Sequence, residues 1–192
     1  IVRRPRWLHF FHKLFGILGY LVFLFYFTWG FNYARPGVTE KLELELSQPD
    51  SLYVMQEFER TIKALNDARK ELAQKDTLEW YAIDRDNYAN QIDPEVQGFL
   101  RDAGYPSAFP TFVESIVPKG LLLRFKTAGF YFPYSGEGYV DAGLPDISFP
   151  EIYAHELSHV YGVTNEGEAN FVAYRSCMKR LNPFIKYSAL HS

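Results

Sequence analysis

Residues 155–170 read HELSHVYGVTNEGEAN, which places two histidines, a glutamate between them and two further acids within a short stretch. The residues just before it, SFPEIYA (148–154), carry the signals of a helix start. Ser148 and Glu151 have capping-box spacing and Pro150 falls in the first turn, while Gly162 lies where the helix would stop. In such a helix His155 and His159 are four residues apart, about 40° around the axis, so both imidazoles point to one place. Two neutral histidines so arranged are the usual helical contribution to a zinc site. Glu156 between them stands where it can hold and deprotonate a metal-bound water. The plain alternative is a polar helix that spells the motif by chance.

A catalytic zinc needs a third protein ligand and an open position. After Gly162 the chain turns through VTN and enters a second predicted helix, EGEANFVAYRSCMKRL, whose start offers Glu166 and Glu168. Asn165 followed by Glu168 has capping-box spacing, which gives Glu168 a structural task and makes Glu166 the preferred ligand, with Glu168 as the alternative. Asn170, one turn beyond Glu166, shares its face and is placed to accept a hydrogen bond from a ligating histidine's second ring nitrogen. Its ordinary reading is an exposed helix residue. Ala169 and Ala173 are small enough for the two helices to approach closely.

Further out, residues 14–34 (LFGILGYLVFLFYFTWGFNYA) contain no charge over 21 positions. At 1.5 Å per residue this crosses a hydrocarbon layer of about 30 Å. A core helix of that length would carry a polar stripe. A signal peptide would have a shorter apolar run and a small-residue cleavage site. Residues 14–34 are therefore expected to be a transmembrane helix, flanked by Trp7, Trp29 and Tyr33 as interfacial aromatics. Arg3, Arg4, Arg6 and Lys13 make residues 1–13 a basic flank, which the positive-inside bias leaves in the cytoplasm with the rest of the chain outside, in a bacterial periplasm. The chain opens on Ile, so it is read as a fragment that an earlier span could precede. Five of the 20 basic residues precede Pro36, where there is no acid, leaving 15 against 23 acidic residues, a net charge of −8 for the remainder. That balance argues against nucleic acid as a partner. The single cysteine, Cys177, excludes an internal disulfide and is expected to be buried.

Residues 35–49 look like a juxtamembrane linker with a short extended piece, since Leu42, Leu44 and Leu46 alternate with Glu43 and Glu45. A helix is predicted over about 50–74, with Leu52, Met55, Ile62, Leu65 and Leu72 as its packed face. Another covers about 77–102, divided by Pro94. Residues 103–149, rich in Pro, Gly and aromatics, predict short strands or extended loops. The fold class is thus mainly α with a small β element (α+β), comprising the membrane helix and one domain over 50–192. The stretch FYFPYSGEGYVDAG is core and turn in the first instance, with pairing to a substrate backbone as the functional alternative. Tyr174, Arg175, Tyr187 and His191 are all placed downstream where one could stabilise an oxyanion, and spacing does not choose between them. His9 and His12 have no motif around them.

HELSH followed by EGEAN resembles the short gluzincin pattern H-E-x-x-H…E-x-x-A-[DN]. With FTWGFNYARP, FYFPYSGEGYV, HELSHVYG, EGEANFVAY and IKYSAL in order, residues 25–190 resemble a bacterial membrane-anchored zinc-metallopeptidase-like family called domain of unknown function 3810. The resemblance implies Glu166 as ligand, Asn170 as a brace, a zincin-like fold, further membrane segments upstream and a periplasmic catalytic domain. It brings no established substrate. Glu137 is a turn residue by its surroundings and a site residue only by this likeness. Six residues separate His159 from Glu166, shorter than in most gluzincins, and a later helix start would put Glu168 in its place.

The expected function is zinc-dependent hydrolysis of a peptide or protein substrate, with Zn2+ on His155, His159 and Glu166, Glu156 as proton acceptor, and the lipid bilayer as anchor. The competing expectation is a membrane-tethered zinc-binding sensor or scaffold without turnover. A degenerate enzyme is disfavoured because ligands and base are all present. Substrate identity and oligomeric state are left open.

Overall fold

The chain begins with an apolar helix, α1 (Arg6–Thr28), whose residues 7–28 are long and apolar enough to cross a membrane. Here and below the structure is a computed structural model that describes residues 6–74, 84–107, 111–179 and 182–192. Arg3 and Arg4 of the basic flank, and the first residues of the helix expected from 77, lie outside those described. α1 starts and stops earlier than the charge-free run implies. Lys13 lies within it, and residues 29–34 leave it for a 3-10 turn, Gly30–Ala34, because Trp29 and Gly30 are buried against the rest of the protein. Trp29 packs against Tyr131, the rings tilted by 36° with 4.2 Å between their centroids.

The alternating leucines at 42–46 form no strand. A short helix, α2 (Val38–Lys41), comes first, and Leu44 and Leu46 are exposed. Helix α3 (Ser51–Gln74) matches its expected span, but of its apolar stripe only Leu72 is buried, Leu65 is half-buried, and Leu52, Met55 and Ile62 are exposed. At about 36 Å the helix outruns the body it packs on. Helix α4 (Arg85–Asp102) continues through Pro94, which costs one backbone hydrogen bond. Ile92, Val96 and Leu100 are fully buried on both sides of it and hold the two halves in line.

The strands β1 (Val113–Ile116), β2 (Gly129–Phe132) and β3 (Glu137–Asp141) form a small sheet in the order β1-β3-β2, with β1 parallel and β2 antiparallel to β3. The crossover from β1 is pinned by the buried Asp141 carboxylate. It accepts backbone N–H bonds from Gly120 (2.6 Å), Leu122 (2.7 Å), Leu123 (3.2 Å) and Gly143 (2.6 Å). Phe130 and Tyr139, partners in register, stack across β2 and β3.

Three helices complete the protein: α5 (Phe149–Val160), α6 (Glu166–Cys177) and α7 (Pro183–His191). α5 lies at the centre, against β2 and β3 on one side and against α4, α6 and α7 on the others. Leu157, Val172, Ile185 and Val140 meet there fully buried, together with Val38 from α2. Each such side chain contributes about 1.5–3 kcal/mol relative to exposure. The capping box expected at Ser148 does not form. The Ser148 side chain makes no cap bond, and the Glu151 N–H is donated instead to Ser188 Oγ of α7 at 3.3 Å. α7 was not foreseen in the sequence. Cys177 is buried, as expected, and burial holds its thiol well above the ordinary range. The observed architecture is α+β, mostly helical, with one candidate membrane helix.

Candidate metal centre

α5 ends in a turn that places a ligand. Gly162 adopts φ +97°, a left-handed conformation that only glycine takes without strain. Gly162 N–H bonds the His159 carbonyl at 2.9 Å and Val163 N–H bonds that of Ser158 at 3.1 Å, the paired bonds of a Schellman motif. The reversal carries the Val163 carbonyl back over α5, where it accepts from His159 Nδ1 at 2.7 Å. That contact was not read from the sequence, although Gly162 signalled the turn that makes it.

His155 is oriented from the next helix. Asn165 caps α6 by accepting from Glu168 N at 3.1 Å, which sets the rotation of that helix. Asn170, one turn in, then presents Oδ1 to His155 Nδ1 at 2.7 Å. Both Nδ1 atoms face carbonyl oxygens, which only accept, so each Nδ1 carries a proton, and in the neutral ring that leaves Nε2 as a bare lone pair.

Those lone pairs converge. His155 Nε2 and His159 Nε2 are 3.1 Å apart, His155 Nε2 is 3.1 Å from Glu166 Oε2, and His159 Nε2 is 3.5 Å from Glu166 Oε1. Ligand atoms each 2.0–2.1 Å from a tetrahedral zinc stand about 3.3 Å from one another, so the spacing fits that ion. Burial, and then the neighbouring His159, lower the pKa of His155, partly opposed by Glu166 and Asn170. The imidazole is thereby kept in the neutral form that binds metal.

Glu156 lies in the same cleft as Glu166 and packs against Gly129 of β2. Only 6 % exposed, it has an Oε2 without a hydrogen-bond partner. It fits because β2 carries a glycine there: a Cβ on Gly129 would lie 2.6 Å from Glu156 Oε1 and 2.6 Å from the Tyr139 carbonyl. Burial, then the charges of Glu166 and Glu151, push its carboxyl up to about 8. A buried carboxylate with an orphan oxygen is costly, so it signals a role that stability does not supply.

Glu168 turns away from this cluster. Its carboxylate accepts from Val38 N (2.9 Å), Thr39 N (3.0 Å) and Thr39 Oγ1 (2.6 Å), capping α2 from across the chain. Those bonds outweigh burial and leave its pKa lowered. Glu168→Ala orphans two N–H groups and is expected to destabilise the protein by about 1–3 kcal/mol for each, read as an earlier thermal melt in detergent.

His155, Glu156, His159 and Glu166 line a cleft of about 390 Å³ whose other walls come from α1 and its 3-10 turn (Phe25, Trp29, Tyr33), from β2 and from Thr164. Tyr174 and Arg175 are exposed on α6, Tyr187 is half-buried on α7, and Glu137 accepts from the Tyr139 hydroxyl; none of these, nor His191, lines the cleft. Among the hydroxyl-bearing residues that do line it, with Tyr33, Thr127 and Thr164, is Tyr131, whose hydroxyl burial pushes up to about 12. Its position in an alternating aromatic strand was the available signal, and that pattern reads equally as core.

An α+β protein with a candidate membrane helix and a His-His-Glu cluster spaced for a divalent ion is the class these features define. The chain belongs to the family described as "Protein of unknown function (DUF3810)", which matches over residues 1–192. No curated protein and no solved structure matches it.

Proposed function

We propose that this protein is a membrane-anchored, zincin-like zinc peptidase. The reading rests above all on one observation: two imidazole lone pairs and a carboxylate meet at one point, an arrangement that repels itself unless a cation occupies it. When bound, zinc supplies a positive charge that polarises water and the scissile carbonyl. His155, His159 and Glu166 hold it, and Asn170 and Val163 fix the ring orientations.

A cation held beside Glu156 would favour its ionised form, and the carboxylate would then accept the attacking water's proton and return it to the leaving amine. Tyr131, protonated at neutral pH, offers an O–H to the charge developing on the carbonyl oxygen. The outer edge of β2, which no other strand covers among the described residues, can take an extended peptide by backbone hydrogen bonding. α1 anchors the chain in a bacterial cell membrane, with the basic flank cytoplasmic and the acidic remainder outside.

Zinc analysis of the full chain in detergent, with turnover of an unfolded protein before and after chelation, tests this. About one zinc per chain and chelator-sensitive cleavage are expected; a chain that binds no zinc is not this enzyme. Asn170→Ala is expected to weaken zinc binding about 10- to 100-fold in a competition titration, because His155 loses the acceptor that orients it.

A further inference from the structure

We infer that the β2–β3 turn dips into the bilayer beside α1, so that the metal cleft opens at the membrane surface and is served by polypeptide already held there. The immersion stands independently of the peptidase reading, whereas the statement about access rests on it.

The position of the turn follows from its contact. The Tyr134 hydroxyl donates to the Leu21 carbonyl of α1 at 3.4 Å. Leu21 lies seven residues before Thr28, the last of α1, hence about 10 Å inside the apolar helix. Leu24 and Phe25 are half-buried and Trp29 is buried, in a stretch otherwise exposed over residues 20–28, so Tyr131 of β2 and Tyr134 of the turn after it lie beside one face of the chain from Trp29 back to Leu21.

The composition suits that depth. Residues 129–136, GFYFPYSG, carry no charge in a chain whose residues after Pro36 are strongly acidic. Phe132 and Tyr134 are 43 % and 38 % exposed there, aromatic surface that water would disfavour and acyl chains and the headgroup boundary accept. Phe25 and Trp29 also line the metal cleft, which sets its mouth at the end of the apolar helix.

The test uses the full chain in phosphatidylcholine vesicles, with nitroxide labels at Phe132→Cys and, separately, Ser135→Cys; Cys177 is fully buried and escapes labelling. Both labels are expected to favour collision with oxygen over a nickel chelate, as a label at Phe23→Cys in α1 does and one at Glu114→Cys on β1 does not. A Glu114-like response at both positions, or shielding from both reagents as under another protein segment, overturns the immersion. For access, one peptide is supplied free and on a transmembrane anchor. At least about tenfold faster cleavage of the anchored form is expected from its raised effective concentration. Equal rates overturn the access claim. Cleavage of neither removes the peptidase reading and the access claim with it, while the labels still decide the immersion.

Discussion

Replacing Glu156 with glutamine is expected to cut hydrolysis by at least about 100-fold, the lower end of what general acid–base catalysis contributes, and to leave the zinc content unchanged. The side chain is buried in the space that Gly129 leaves open, and one of its oxygens has no partner. An amide of the same shape occupies that space, and the parent carboxyl, pushed up to about 8, is largely uncharged there at neutral pH, so the melting temperature should hold. Metal analysis, a melt and turnover on one preparation separate the outcomes. Cleavage within a few-fold of the parent would remove Glu156 as the base, and with it the proposed chemistry. A zinc-binding sensor without turnover would keep its function in this variant, so the same protein discriminates the two readings.

Replacing His155 and His159 together with alanine is expected to take zinc from about one per chain to essentially none, with complete loss of turnover, since structural and catalytic zinc sites need at least three protein ligands. What is left of the cluster is Glu166, whose side chain is 77 % exposed and holds no divalent ion tightly alone. The fold should survive, because the apolar packing of α5 is carried by Ala154, Leu157 and their neighbours, and the buried His159 adds one bond to the Val163 carbonyl. Full zinc occupancy in the double variant would place the metal elsewhere and dissolve the site. A sensor would also fail here, so the glutamine variant is the one that tells it from a peptidase.

Much of the cluster was legible because it is local. Four-residue spacing aligns His155 with His159 on α5 and Glu166 with Asn170 on α6, and a Gly-containing turn between two helices leaves them few ways to face each other. The apolar run at the start of the chain was legible for the same reason, although its helix ends at Thr28 and not at 34. Ser148 shows the limit of local pattern. The residue types of a cap were present, yet Ser188 of α7 reached the Glu151 N–H and the cap bond was not made. The stripe on α3 shows it too, since periodicity finds an apolar face and says nothing about whether a partner is long enough to cover it.

Helical period and turn stereochemistry act between neighbours along the backbone, so the sequence alone settled which side chains share a face and where α5 stops, and it offered two histidines with an acid from the next helix as a candidate cluster. Partner choice at long range was settled only by packing. Glu168 meets Val38 and Thr39 across 130 and 129 residues, Tyr134 meets Leu21 across 113, and no local rule connects them. A carboxylate takes whichever donors the core brings within about 3 Å, and that is decided by how buried surfaces far apart in the chain fit together. The same packing moved Glu168 out of the His-His-Glu cluster and brought the end of the candidate membrane helix into the wall of its cleft.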